Sequence, residues 1–160
     1  DVADSAAGTP ERANHHLVSA ERAEKVLRQE GWPQGRIAAV QHCIRSHRFR
    51  STEERPETLE AKILFDADKL DVLGAVGVVR VVAYATMAGE PIYSAPSEKF
   101  LSSGQKEPGE PHSAYHEHLF KLSKIKDLLF TSTARRIAEE RFQYLDEFFT
   151  RLIGETNGEM

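Results

Sequence analysis

The feature that most constrains this 160-residue chain is a helical spacing of apolar residues that persists through most of its length. Side chains three, four and seven positions apart share one helix face, and a segment written in that period does not fit the two-residue alternation of a half-buried strand. Segment 12–30 places His16, Ala20, Ala23 and Leu27 on one face, with Gly31 suited to close the helix and Pro33 to open the next. Segment 33–47 aligns Ile37, Val40, Ile44 and His47. Thr58 is a candidate N-cap for a third helix, on which Ala61, Leu64, Asp68 and Val72 share a face. Segment 74–84 (GAVGVVRVVAY) is rich in Val, which favours strand, and in Gly and Ala, which suit a closely packed helix. The helical pattern before it runs on without a break, so helix is the expectation. Residues 88–113, rich in Pro, Gly and Ser, form a long irregular connection. Two amphipathic helices close the chain. The first, 114–129, carries Leu119, Leu122, Ile125 and Leu129. The second, 132–153, carries Ala138, Phe142, Leu145, Phe149 and Leu152, with Gly154 as a candidate stop. The expected fold is all-α, a helical bundle in one domain over residues 1–154, with 155–160 as a disordered tail.

Composition narrows the function classes. The net charge of −4 argues against general nucleic-acid binding or a membrane-surface role, both of which need a basic face. It leaves room for a small anionic substrate held by a few placed cations. The single cysteine, Cys43, excludes an internal disulfide framework and a Cys-rich zinc site. No apolar run approaches the ~18 residues of a membrane span, so a cytoplasmic location is the default expectation. Segment 74–84 and the closing helix each read either as core or as the surface of a homodimer.

Chemistry is suggested by the polar residues on the apolar faces. His16, His47 and Asp68 each fall on the stripe of a different helix. A single histidine there reads as a hydrogen-bonded core residue, but a buried carboxylate needs a partner or a metal, and bundle cores build metal sites from inward-facing side chains. Within DADKLD (66–71), Asp66 has Lys62 at i−4 and Lys69 at i+3, which places it on a solvated, charge-paired face. Asp68 is then the carboxylate to choose as a ligand. His42 and Cys43, adjacent on a helix, point in different directions and read as packing. His112, His116 and His118 could line a substrate entrance, but the surface is their expected place. Trp32 and Phe49, at helix ends, are expected in core packing rather than stacked on a base.

The same residues carry a resemblance. AKILFDADKLDVLGAVGVVRV (61–81), preceded by HHLVSAERA (15–23) and IRSHRFR (44–50), resembles the HD-domain metal-dependent phosphohydrolases. HEHLFKLSKIKDLLFTSTARRIAEERFQYLDEFF (116–149) resembles the closing helices of their small, stand-alone bacterial branch. The resemblance implies an all-helical HD-type bundle and a divalent metal (Mn, Mg, Fe, Ni, Co or Zn) held by an H…HD…D pattern, to which two-metal members add two histidines. On this chain it implies Asp68 as the last aspartate, His16 and His47 as the added histidines, Asp1 as the aspartate of the HD pair, and Asp4 as an acidic residue one turn on, placed to orient or deprotonate the metal-bound water. The first His of the pattern and the His of the HD pair would precede Asp1, which makes the chain an expected N-terminal truncation lacking a helix or helices.

Such a site would hydrolyse a phosphate ester or anhydride, since a divalent ion lowers the pKa of bound water and relieves charge on phosphorus oxygens. Arg48 and Lys69 are candidate contacts to the substrate phosphate, or ordinary solvated charges. The implied substrate is a nucleotide or related phosphate. The GYP segment of the cyclic-dinucleotide phosphodiesterases is absent after His47. The alternative is a catalytically incomplete module that binds a phosphorylated ligand or a protein partner.

Overall fold

The computed structural model describes residues 14–48 and 54–159. The described residues are helical without strand, as the spacing predicts. The elements are α1 (His15–Gln29), α2 (Gln34–Ser46), α3 (Leu59–Leu70), α4 (Gly74–Met87), α5 (Glu98–Ser103), α6 (Ala114–Glu117), a π-helical turn (His118–Leu122), α7 (Ser123–Ile125), a 3-10 turn (Lys126–Leu128) and α8 (Ser132–Asn157). The chain divides into two compact units, residues 1–68 and 69–160.

In the first unit α1 packs along α2. The end of α1 is closed at Gly31, where Trp32 N–H reaches back to the Leu27 carbonyl at 2.9 Å. Pro33 then opens α2 with φ near −62°, its carbonyl accepting from Arg36 and Ile37. The two helices are joined by Gln41, which donates to Glu24 at 3.0 Å. Trp32 is 39% exposed and lies under the Arg36 guanidinium, 4.7 Å from the ring centre, so it is not the core residue expected; Phe49 lies outside the described residues. Thr58 caps α3 as predicted, its hydroxyl accepting from Ala61 N–H at 3.2 Å.

The second unit carries the larger core. Leu73, Val78, Ala85, Leu122, Ile125, Leu129, Ala138, Leu145 and Phe149 form one buried cluster, in which α4 packs against α8. Helix α8 runs through Gly154, which is buried, to Asn157 and is closed by Gly158, so residues 155–157 are helical rather than part of a tail. The connection 88–113 is less irregular than predicted because it contains α5. Segment 114–129 breaks into four short pieces rather than one helix.

The order in this region comes from buried polar groups that the periodicity does not reveal. Glu110 accepts from Ser97 N–H at 2.8 Å, Ser97 hydroxyl at 2.7 Å and Glu107 N–H at 2.6 Å, and it meets His116 Nε2 at 3.1 Å. The Ser97 bonds, followed by those to Glu107 and His116, hold its carboxyl at about 2 against the opposing effect of burial. His116 is fully buried, with Ser113 hydroxyl 2.6 Å from Nδ1. His118 is buried too, stacked 4.7 Å from Phe149 and flanked by Tyr115 and Phe142, with Nε2 3.2 Å from Asp146. The surface expectation for His116 and His118 is therefore corrected. Each has an acidic partner, Glu110 six residues before His116 and Asp146 twenty-eight residues after His118, which offsets the cost of burying the ring.

These groups make stability pH-dependent. Burial pushes the His118 imidazole below its ordinary value, and Asp146 opposes this only in part. The folded protein thus holds the ring neutral where the unfolded chain takes a proton, so stability is level above roughly pH 6.5 and falls as pH drops below it. Urea midpoints at about pH 7.5 and about pH 5.5 should differ, and His118→Phe should shrink the difference. In the core, Phe149→Ala should cost about 3–5 kcal/mol by chemical denaturation, since a fully buried aromatic leaves a cavity that collapses only in part.

Candidate functional site

The first unit brings His16 and His47 into one neighbourhood. His16 lies in the first turn of α1 and is 3% exposed. His47 is the residue that closes α2 and is half-buried. Between them stands His15, whose ring centre lies 5.6 Å from each of the other two, edge to face. Packing α1 along α2 therefore gathers three imidazoles from residues about thirty positions apart in sequence. His47 Nδ1 donates to the Ile44 carbonyl at 2.5 Å, which fixes the proton on that nitrogen and leaves Nε2 as the acceptor, the tautomer a metal or proton donor requires.

Helix α3 reverses the expected roles of two aspartates. Asp66 is buried at 2% exposure, whereas Asp68 is exposed. The buried stripe runs through Ala61, Phe65, Lys69 and, beyond the helix end, Leu73, at intervals of four. Leu64, expected to set the phase, is 42% exposed, and the larger Phe65 sets it instead. Asp66, next to Phe65, turns inward with it. Lys69 is buried as well, at 9%. Asp68 thus lies off the core stripe, at a position a ligand can reach.

Arg48 is half-buried beside His47. Asp1 and Asp4 lie outside the described residues. Among the described residues, no three His, Cys, Asp or Glu side chains come together in a way that could hold a metal ion. His47, with its proton on Nδ1, has the chemistry of a nitrogen donor, but the described residues do not make up a complete donor set.

One polar assembly in this unit carried no sequence signal. Glu54 receives Arg45 Nε at 2.6 Å and Nη2 at 3.1 Å, and sits 2.6 Å from His42 Nδ1. His42 Nε2 accepts from Glu57 N–H at 3.1 Å, so its proton is on Nδ1 and points at Glu54. The Arg45 hydrogen bonds lead in holding the Glu54 carboxyl below its usual range. This clamp ties the segment leading into α3 to α2, a tertiary role beyond the helix packing expected of His42. The Cys43 thiol is pushed up by burial, which makes it a poor nucleophile.

Residues 2–73, which include the histidine cluster and the whole of α3, match the family model of the HD domain. Over that segment, a little under half of its length, the chain is similar to the HD domain. The curated protein YpgQ of Bacillus subtilis (strain 168), itself uncharacterized, is 34% identical over 116 residues, 71% of this chain and 49% of YpgQ, so the chain spans about half the length of that relative. The crystal structure of Bacillus subtilis YpgQ in complex with ADP matches with a TM-score of 0.65 at 26% identity, over 88% of this chain and 66% of that one. An HD-superfamily hydrolase from Bacillus thuringiensis matches with a TM-score of 0.64 at 25% identity, over 86% and 62% of the two chains. The HD-domain match and these neighbours agree with the all-helical architecture. Among the described residues, no single helix is long and apolar enough to cross a membrane.

The two aspartates of α3 should separate cleanly by stability. Asp66→Ala should cost about 1–3 kcal/mol, as for other buried polar groups whose loss disturbs partners, while Asp68→Ala should stay within about 0.5 kcal/mol. Equilibrium urea denaturation of the two variants checks this.

Proposed function

We propose that this chain is a metal-dependent phosphohydrolase acting on a nucleotide or a related phosphate ester or anhydride. The observation that carries the reading is the gathering of His16 and His47, with the His47 tautomer fixed, inside the segment that matches the HD domain. The ADP held by the crystallised YpgQ supports a nucleotide as the ligand class.

In this reading His16 and His47 are neutral nitrogen donors to a divalent ion, and Asp68 is an anionic donor. Asp1 and Asp4, outside the described residues, are a second anionic ligand and a group that handles the attacking water. Mixed nitrogen and oxygen donors suit Mn, Fe, Co, Ni or Zn, with Mg better served by oxygen alone. When bound, the ion supplies an activated water and a Lewis acid for the phosphoryl oxygens. The chain's own cations then do the rest: Arg48 and Lys69 neutralise phosphate charge and orient the substrate. The net negative charge of the chain makes such placed cations, rather than a basic surface, the means of holding an anion.

The second reading is a module that binds a phosphorylated ligand, or a partner, without turning it over. It is favoured by the incomplete donor set among the described residues.

Calorimetric titration with MnCl2, followed by a hydrolysis panel of nucleoside mono-, di- and triphosphates, separates the two. The hydrolase reading expects manganese binding and turnover of at least one nucleotide. His16→Ala and His47→Ala should each lower metal affinity by more than the roughly 10–100-fold that loss of an outer-shell partner costs. ADP binding without metal or turnover would favour the binding module.

A further inference from the structure

The buried stripe of α8 contains one charged residue with an assigned task. Arg141 falls between Ala138 and Leu145, both fully buried, at the same helical spacing as the core residues around it. Its Nη1 donates at 2.7 Å to the carbonyl of Leu70, the last residue of α3 and 71 positions away. The aliphatic part of the same side chain lies on Gly74, the first residue of α4. A Cβ added there would stand 3.1 Å from Arg141 Cγ and 3.2 Å from its Cβ, on a backbone with φ near +69° that only glycine adopts without strain. Three residues on, a Cβ on Gly77 would stand 2.3 Å from the Val72 carbonyl oxygen, so the start of α4 is pressed against the link that follows α3. The start of the second unit, from Leu70 to Gly77, thus rests on two glycines and one guanidinium.

A cation is well suited to the C-terminal end of a helix, where unpaired carbonyls concentrate partial negative charge. Leu70 O also receives Leu73 N–H, at the long distance of 3.3 Å, and Arg141 supplies the shorter of its two bonds. Held there, the last turn of α3 has a fixed end. That turn carries Lys69 and Asp68.

We infer that Arg141 is a positioning residue for the Asp68–Lys69 end of α3, acting through the Leu70 carbonyl and not on the substrate itself. The inference rests on the phosphohydrolase reading for what Asp68 and Lys69 do, but the hold on Leu70 is independent of it. Lys at this position would not replace Arg, because a flexible stem ending in a compact ammonium cannot both cover Gly74 and present a planar fork to the carbonyl.

The test compares Arg141→Ala, Arg141→Lys, Gly74→Ala and the Arg141→Ala/Gly74→Ala double variant with the unaltered chain. Measurements are made with MnCl2 at a temperature where all are folded, using whichever nucleotide the unaltered chain hydrolyses fastest. Arg141→Ala should lower kcat by roughly 10–100-fold with little change in KM. Added guanidinium ion should restore part of the loss, Arg141→Lys should not, and the Gly74→Ala and Arg141→Ala losses should be less than additive because both remove the same contact. A lowered melting temperature with unchanged kcat would overturn the inference, leaving Arg141 a residue of stability alone. Amide hydrogen exchange at Leu73 and Gly77 forms a separate arm: Arg141→Ala should speed exchange there and guanidinium should slow it again, whereas unchanged exchange would overturn the hold on Leu70. If the unaltered chain neither hydrolyses a nucleotide nor binds ADP, the phosphohydrolase reading fails and the positioning role fails with it, while the exchange arm still decides whether the hold exists.

Discussion

A helix that ends inside a folded unit leaves carbonyls in need of donors, and the end of α3 at Leu70 is where this requirement organises the second unit. Its solution is long-range. Arg141 reaches from the closing helix to the Leu70 carbonyl, and the stem of the same side chain fills the space over Gly74 that any other residue would occupy. Beside this contact α4 packs its Val78 and Ala85 face into the cluster that Ala138, Leu145 and Phe149 present from α8. The Gly/Ala-rich stretch after DADKLD is therefore more than a helix of small residues. Its first glycine is needed for a left-handed turn and its second for a close backbone approach.

The two units use different means to hold polar groups in place. In the first, Glu54 joins Arg45 and His42 in an ion-paired clamp that is half open to solvent, where individual pairs are worth little and the gain comes from geometry. In the second, His116 is fully buried against the partly buried Glu110, and their mutual satisfaction orders the connection before α6. A buried group left without its partner costs more than the pair contributes, so such a network fixes one conformation of a loop that composition alone reads as irregular. His118 extends the same logic into the π-helical turn, where aromatic rings surround the imidazole on its faces and Asp146 takes one edge.

The candidate site was partly legible in the sequence. The burial of His16 is legible because Ala20, Ala23 and Leu27 repeat with it at clear helical spacing. The approach of His47 to it could be expected only from the family pattern, since spacing within one helix says nothing about which helices pack. Spacing alone places Asp68 inside and Asp66 outside if Leu64 sets the phase of this 12-residue helix, but the bulkier Phe65 is the buried residue and turns Asp66 inward. A shift of one position rotates a helix face by about 100°, enough to turn one carboxylate inward and its neighbour outward.

By itself, the sequence determined the fold class, the positions of α1 to α4 and the start of α8 to within a few residues, and the cap at Thr58. These follow from local physics: the period of the apolar residues, the hydroxyl that caps a helix start, and the conformations that Gly and Pro allow. Only the tertiary structure decided which aspartate is buried, which nitrogen of His47 carries the proton, that His116 and His118 lie inside, and that Arg141 holds the end of α3. Each of these depends on a partner distant in the chain or on the packing of bulky neighbours, and the energy of desolvating a polar group is set by those surroundings rather than by the residue's own place in a helix.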